Sequence, residues 1–398
     1  MTDRSSSVVV SPFTSPLVAS SRSRRRMILP LRVLGSASAN RISSGFAMGP
    51  ISFARFMQLA LYCPKIGYYE RDSRVIGFAG DFYTSPSIGP LFGHLVAAQF
   101  AFWSVGSAWQ PLSWLEAGAH DGTLALAILE WLGKKQPELL DRLNYCIIES
   151  SLVRRQWQEE KLRDYAKYVS WRDSMEAITP RSLRGIVFCN EFLDAFPVNR
   201  VVWDRSRSKW YERGVGMEGE RFVWRRLEEA TIDIDAQLER SGLALTRELL
   251  EVLPDGFVMD LSPEAGDWWM KAAEALDLGK LVAIDYGLTA DEILAPERTN
   301  GTLRAYYQQR ISDDPLARVG EQDLTAHVNF TQLQRIGEAA GLRTETFSTQ
   351  ERFLFDLIQR KLGGIASERW SAAEIRQFQS LTHPEQLGRR FRVLVQSR

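Results

Sequence analysis

Apolar runs of two kinds alternate along the middle of the chain. Four short segments have the composition of buried strands: 113–115, 145–148, 168–171 and 186–189. Two longer segments between them have the spacing of helices with one apolar face: 123–132 and 152–165. Strands that alternate with helices at this interval predict βαβ units. The pattern therefore predicts an α/β fold with a mostly parallel, Rossmann-like sheet.

The segment before this region has a different pattern. Residues 51–62 carry apolar side chains at helical spacing, and Pro64 and Gly67 follow them. Residues 91–103 form a second run with one apolar side. We therefore predict an N-terminal segment over 49–110 that is helical.

The segment after Val198 changes again. Three short segments rich in Trp and Arg look like strands of a meander: 200–203, 210–213 and 221–225. A polar helical stretch follows, and an apolar strand returns at 281–284. This predicts one domain over 111–398 with a β-rich and helical insertion at about 199–280.

Charge and hydropathy exclude several classes of protein. The 398 residues include 49 basic and 49 acidic side chains, so no net positive charge supports nucleic-acid binding. No run of about 18 apolar residues occurs, so we expect no insertion into a membrane. The oligomeric state stays open.

Cysteine and histidine spacing argues against a metal site. The three cysteines are far apart and are expected to be buried thiols of a reducing compartment: Cys63, Cys146 and Cys189. The four histidines are equally dispersed: His94, His120, His327 and His383. The sequence also has no G-x-S-x-G motif, which would indicate a serine hydrolase. We predict no metal ligands.

Residues 1–48 have a composition of their own. They hold seven arginines, no lysine, twelve serines and one acidic residue, Asp3. Such a segment resembles a mitochondrial transit peptide, and it is equally compatible with a disordered tail or an over-extended reading frame. The lack of a hydrophobic signal favours the cytoplasm, with the mitochondrial matrix as the alternative.

The first candidate site is the turn L-E-A-G-A-H-D-G-T-L at 115–124. Gly118 and Gly122 would let a ligand approach the backbone, and the following helix would begin beside it. The spacing differs from the G-x-G-x-x-G of dinucleotide sites, which argues against a NAD enzyme. Glu116 suits an ammonium of the methionine type. A purely structural turn would have the same residues.

Two further acids follow strands. Glu149 ends the second predicted strand, where a carboxylate can accept two hydrogen bonds from a ribose diol. Asp173, after the third strand, could accept from an adenine amino group. The alternative for Glu149 is a solvated strand-end side chain.

The fourth predicted strand leads into C-N-E-F-L-D-A-F-P-V at 189–198. Ligands of parallel sheets bind beyond the carboxyl ends of the strands, so Asn190, Glu191 and Asp194 would project towards a bound cofactor. Two acids could hold a guanidinium by forked hydrogen bonds and help to remove its proton. The alternative is a helix cap.

Six motifs in order resemble the MidA family of methyltransferases over about 50–395. They are G-D-F-Y-T-S-P at 80–86, the turn at 115–124, the segment 190–198, D-Y-G at 285–287, G-T-L-R at 301–304 and D-L-T-A-H-V-N-F at 323–330. The resemblance implies a Rossmann-like methyltransferase that uses S-adenosyl-L-methionine. It also implies that the loop 80–86, with Asp81, Thr84 and Ser85, closes over the cofactor.

The resemblance extends to a substrate class. Mitochondrial members of the family resemble protein arginine methyltransferases that act in the assembly of respiratory complex I. It implies that Glu191 and Asp194 orient an arginine of a protein substrate. The alternatives are a small-molecule N- or O-methyltransferase and an assembly chaperone that binds the cofactor without catalysis.

The chain departs from the family pattern at several positions. Ala119 and His120 replace Pro-Gly in the turn, and a side chain at His120 narrows the loop. Ser87 replaces a Glu, Gln309 a His and Asn329 an Asp. The last three concern the substrate more than the fold.

Overall fold

A computed structural model of the chain describes residues 49–71, 84–308, 310–360 and 370–398. The tail 1–48, Asp81 of the predicted lid and Gln309 lie outside the described residues. The helices, in chain order, are α1 (Phe53–Tyr62), α2 (Leu91–Ser104), α3 (Thr123–Lys135), α4 (Pro137–Arg142), α5 (Leu152–Lys161), α6 (Ile234–Arg240), α7 (Arg247–Val252), α8 (Pro263–Ala275), α9 (Ala290–Ile293), α10 (Phe330–Ala339), α11 (Gln350–Gln359) and α12 (Ala372–Thr382).

The strands form three sheets. In chain order they are β1 (Ile51–Ser52), β2 (Leu112–Ala117), β3 (Leu143–Ile148), β4 (Val169–Arg172), β5 (Leu183–Asn190), β6 (Asn199–Asp204), β7 (Lys209–Glu218), β8 (Arg221–Arg226), β9 (Val258–Leu261), β10 (Leu276–Leu288), β11 (Arg304–Tyr307), β12 (Arg310–Ser312), β13 (Asp323–Thr325), β14 (Val328–Asn329), β15 (Arg343–Thr349) and β16 (Phe391–Ser397).

The central sheet has the strand order β15-β16-β10-β5-β2-β3-β4, and β14 pairs with β10. The neighbours from β10 to β4 all pair in parallel, whereas β16 runs antiparallel to both β10 and β15. The predicted α/β fold with a mostly parallel sheet is confirmed. Because β2 lies between β3 and β5, the segments that follow these three strands meet at one edge of the sheet.

Helices cover both faces of this sheet. On one face α2, α3 and α11 bury apolar side chains such as Phe100, Ile128 and Leu354. On the other face α8 and α10 bury Trp269 and Leu333. This two-sided burial explains why the strands are apolar runs without alternation.

The second sheet is antiparallel, in the order β1-β7-β6-β9 with β8 on β7. It is built mainly from the predicted insertion. Helix α8, within the predicted range 199–280, packs instead against the central sheet through Trp269 and Ala272. The limits of the insertion stay a prediction.

The N-terminal segment joins the second sheet to a third one. Strand β1 pairs with β7, and α1 packs Phe53 and Phe56 against Val215 of β7. The same cluster contains Ala305 and Leu324 of the small sheet β12-β11-β13.

Within the part of the chain that the structure describes, we find no helix with the length and apolar character needed to span a membrane.

Candidate functional site

A cavity of about 790 Å³ lies beyond the carboxyl ends of β2, β3 and β5. Eight of the predicted site residues line it: Thr84, Glu116, Gly118, Glu149, Asp173, Asn190, Glu191 and Asp194. Ser85 and Gly122 do not line it, although both lie next to residues that do. The structure thus brings the sequence candidates together, and their individual roles stay predictions.

The glycine turn between β2 and α3 is tightly packed. Gly118 has φ +76°, and a Cβ atom there would lie 2.5 Å from Cδ2 of Phe192. Gly122 has φ +84° and begins α3 without a side-chain cap. Even His120 has φ +48°. The left-handed backbone and the Phe192 contact together explain the two glycines.

Glu116 lies one residue before the end of β2, and its carboxyl is buried. Its side chain accepts a hydrogen bond of 2.5 Å from the hydroxyl of Tyr145. Burial raises the pKa of Glu116 to about 7, against the effect of the Tyr145 hydrogen bond. The group is therefore available to pair with a cation that enters the cavity.

Glu149 follows β3 and is held by three neighbours. Its Oε1 accepts from the Ser151 amide at 2.8 Å and from Nε of Arg154 at 3.1 Å, and its Oε2 accepts from Gln158 at 3.2 Å. Arg154 also lies 3.8 Å from the Glu70 carboxylate. Both oxygens of Glu149 are thus oriented by fixed donors beside the cavity.

Asp173 lies at the edge of the cavity. Its side chain is 82% exposed and its Oδ1 lies 3.4 Å from Nη2 of Arg155. Such an exposed pair contributes little to stability. An aspartate so placed could accept a hydrogen bond from a ligand only at the rim.

Glu191 adopts an unusual backbone conformation just after β5. Its φ is +49°, and its Oε1 accepts from the Ser85 amide and from Nδ2 of Asn190, both at 3.0 Å. Burial raises the pKa of Glu191 to about 8; these hydrogen bonds oppose the rise and the charge of Asp285 adds to it. The Ser85 contact ties the described end of the predicted lid, residues 84–86, to this carboxyl.

Asp194, three residues later, belongs to a cluster of acids. Burial, followed by the charges of Asp285, Asp323 and Glu191, holds the pKa of Asp194 well above its usual range. We call Glu191, Asp194, Asp285 and Asp323 the acidic cluster. Asp323 accepts from the hydroxyl of Tyr69 at 2.9 Å to both oxygens.

Sequence reasoning missed several residues of this site. Asp285 and Asp323 were noticed only as parts of motifs, although each belongs to a strand of a sheet that borders the site. Tyr62 and Tyr69 come from the N-terminal segment, and the Tyr62 hydroxyl donates to the Ala195 carbonyl at 2.9 Å. Of these residues, only Asp285 had a sequence signal for a site residue, because it directly follows the apolar run 281–284.

The departures from the family pattern fall in different places. Ser87 lines the cavity and forms a reciprocal cap with Thr84. Asn329 caps α10 through the Gln332 amide at 3.1 Å and donates to the Ser241 carbonyl, away from the cavity. An Asn there keeps the acceptor that the helix needs.

The lining suits a ligand with an ammonium group and hydroxyls. Asn190 is 8% exposed, and its Oδ1 is buried without a hydrogen-bond partner among the described residues. Such an acceptor requires a donor, because an unpaired buried polar atom is costly. With the carboxylates of Glu116 and Glu149, it fits the donors of S-adenosylmethionine. The described residues contain no group of three or more His, Cys, Asp or Glu side chains arranged to hold a metal.

A family model described as "Putative S-adenosyl-L-methionine-dependent methyltransferase" matches residues 94–348 of the chain. The chain belongs to this methyltransferase family. The predicted MidA-like family and its cofactor, S-adenosyl-L-methionine, are thereby confirmed.

Other members of this methyltransferase family are similar over most of their length. A mitochondrial protein arginine methyltransferase NDUFAF7 homolog of Drosophila melanogaster is 27% identical over 397 residues, which cover 91% of this chain and 84% of the relative. The mitochondrial protein arginine methyltransferase NDUFAF7 of Mus musculus is 28% identical over 321 residues, or 73% and 67% of the two chains.

A solved structure extends the likeness to the fold. A Burkholderia thailandensis protein with bound S-adenosyl-homocysteine superposes with a TM-score of 0.76 at 28% identity, covering 90% of this chain and 91% of that one. A native structure of a protein from the same organism gives a TM-score of 0.73 at 29% identity and the same coverage.

Proposed function

We propose that this methyltransferase acts on a guanidinium nitrogen of an arginine side chain in a protein. The acidic cluster carries the proposal. Arg154 is the single Lys or Arg side chain among the described residues that line the cavity, and it is engaged by Glu149 and Glu70. The cavity is therefore prepared for a cation that the chain itself does not supply.

The raised pKa values of Glu191 and Asp194 also support a binding site for a cation. Without a cation, burial and the charges of neighbouring acids raise the pKa values of Glu191 and Asp194 and so disfavour their ionised forms. A guanidinium would favour the ionised forms and could bond to two carboxylates through its planar set of donors. An ammonium has no such fork, so the pair favours arginine over lysine.

The chain's residues would then bind, orient and accept a proton. S-adenosylmethionine supplies an electrophilic methyl group on a sulfonium. Glu191 and Asp194 would align the acceptor nitrogen, and proximity and alignment supply most of the rate of such a transfer. As the new N–C bond forms, the bond between the methyl group and sulfur would break with its electron pair remaining on S-adenosyl-homocysteine, and the nitrogen would release one proton. Glu191, with a pKa near the working pH, is suited to accept it.

The remaining site residues are assigned to the cofactor. We infer that Glu116, Gly118, Gly122, Glu149, Asp173 and Asn190 bind it, with Asp81, Thr84 and Ser85 in a lid segment within 49–110. The bond from the Ser85 amide to Glu191 supports a lid that also reaches the acceptor.

The names of the relatives support a proposal for the partner and the compartment. The names of the curated relatives are those of protein arginine methyltransferases of mitochondria. They support a protein substrate and favour the matrix over the cytoplasm. By family resemblance, we infer that the acceptor is a protein involved in the assembly of respiratory complex I.

The test is transfer of labelled methyl groups to extract proteins, followed by hydrolysis and separation of the labelled amino acids. We expect label in N-methylated arginine with the wild type and with Glu138→Gln, an exposed carboxylate on α4. Label in lysine alone would contradict the proposal. Label only in small molecules, or tight cofactor binding without transfer, would favour the small-molecule enzyme or the chaperone.

A further inference from the structure

Asp285 organises the backbone that presents the acidic cluster. It lies in β10 with no exposed surface and pairs through its strand with the end of β5, where Ile284 lies opposite Asn190. Its Oδ2 accepts from the amides of Phe192 at 3.1 Å and Leu193 at 2.9 Å. Its Oδ1 accepts from the Tyr286 amide at 2.8 Å.

These bonds fix a turn that would otherwise be unfavourable. Glu191 is a non-glycine residue in the left-handed region, a conformation that persists only where the surroundings hold it. The Glu191 amide donates to the Ile284 carbonyl at 2.9 Å. Three successive amides, of residues 191–193, are thus bonded to residues 284 and 285 of β10. The short 3-10 turn Leu193–Ala195 follows directly and sets the direction of Asp194.

The same carboxyl also acts through its charge. The titratable groups that face Glu191 are Asp285, Asp194 and Tyr286. None of them is a cation, and the direct hydrogen-bond donors to Glu191 are the Ser85 amide and Asn190. An ionised Asp285 therefore disfavours ionisation of Glu191.

We propose that Asp285 is a positioning residue of the methyl transfer, holding Glu191 and Asp194 in the orientation that receives the acceptor. This assignment rests on the proposed function. Asp285 does not line the cavity and touches no substrate; it acts through the turn 191–195 and through its charge.

The test is the pH dependence of kcat for Asp285→Asn. The substrates are S-adenosylmethionine and the protein that the extract assay identifies as the methyl acceptor. Asn keeps the shape and removes the charge; its carbonyl oxygen can still accept a hydrogen bond, but its NH2 group cannot replace the second accepting oxygen. We expect kcat to fall about tenfold, as for a misaligned reacting group. We also expect the acidic limb of the profile to move to lower pH, because Glu191 loses the like charge that Asp285 carries above its own raised pKa of about 7.

Asp260→Asn is the matched control. Asp260 is a buried aspartate of β9 that accepts from two successive amides, of Thr302 at 2.7 Å and Leu303 at 2.9 Å, and it lies outside the cavity. Asp260→Asn should lower the melting temperature and leave the acidic limb of the kcat–pH profile unchanged. A purely structural role of Asp285 would give this same result.

Asp285→Glu separates geometry from charge and replaces Asp285→Asn if that variant does not fold. It should lower kcat with the acidic limb unmoved. The assignment is overturned if Asp285→Glu has the wild-type kcat, or if folded Asp285→Asn keeps the wild-type profile while the wild type is active. Absence of transfer by the wild type, with S-adenosyl-homocysteine still bound, would instead overturn the proposed function and this assignment with it.

Discussion

The two halves of the cavity stabilise their carboxylates in opposite ways. On the cofactor side, as we call the part proposed to bind the cofactor with Glu116, Gly118 and Glu149, the acids already have donors. Tyr145 donates to Glu116, and Arg154 and Gln158 donate to Glu149. In the acidic cluster, the donors to Glu191 and Asp285 are neutral amide groups, and Asp323 accepts from the Tyr69 hydroxyl. The charges of the neighbouring acids oppose the ionisation of Asp194. The first half thus contains a cation of the chain itself, Arg154, whereas we propose that the second receives its cation from the substrate. This difference predicts which variants affect binding and which affect transfer.

Neutralising Glu191 should have the largest effect. Glu191→Gln keeps the size of the side chain and removes the base and one guanidinium partner. Methyl transfer should fall by on the order of 10²-fold, the scale for one positioned catalytic group. Affinity for S-adenosyl-homocysteine, measured by calorimetry, should stay close to that of the wild type. Equal loss of both quantities would remove the distinction between the two halves.

Truncating Glu149 should have the converse effect. Glu149→Ala removes a charged acceptor and leaves Arg154 with Glu70 alone. Binding of S-adenosyl-homocysteine should weaken by about 1.5–3 kcal/mol, or about 10–100-fold. The affinity is measured by calorimetry, with Glu138→Ala as the control variant. Unchanged affinity would show that Glu149 is only a partner of Arg154.

Gly118→Ala should produce a smaller, steric effect. The new methyl group would lie 2.5 Å from the Phe192 ring, which would have to shift. The backbone would remain left-handed, at a cost of about 1–2 kcal/mol from the backbone alone. Gly106→Ala is matched, because Gly106 has φ +75° and nothing within 4 Å. Both should lower the melting temperature, and only Gly118→Ala should also weaken cofactor binding. Identical behaviour would mean that the turn does not touch the cofactor.

The pH dependence of stability should give the smallest effect. The pKa of Glu191 is raised from 4.5 to about 8, so the folded chain binds more protons than the unfolded chain between these values. The free energy of unfolding should therefore fall as the pH rises from about 5 to 8. In Glu191→Gln this fall should be shallower when melting temperatures are compared across that range. Parallel curves would show that Glu191 titrates normally.

The sequence predicted the cofactor side better than the acidic cluster. Glu116, Gly118 and Glu149 follow apolar strands that are adjacent along the chain, and a local pattern is enough to find them. Parallel pairing then brings them together by rule. The strand β10 was expected to begin at residue 281, and it begins at Leu276, since Asp277 and Gly279 interrupt the apolar pattern.

The acidic cluster depends on contacts between distant segments. Tyr69 bonds to Asp323 across 254 positions, and Asp285 bonds to Phe192 across 93. The left-handed conformation of Glu191 has no local sequence signal, because glycine, the usual residue there, is absent. Composition and periodicity contain no information about such pairings, so only the folded structure shows them.

The central claim is that the acidic cluster selects a guanidinium. The most direct measurement is methyl transfer to three peptides. Each has the sequence around the residue that is methylated in the acceptor protein of the extract assay, with Arg, Lys or citrulline at that one position. Citrulline has nearly the shape of arginine without its charge. The account predicts transfer to the Arg peptide and at most a trace to the other two, because Glu191 and Asp194 are proposed to pair with the planar donors of a guanidinium. Equal transfer to the citrulline or Lys peptide would contradict it.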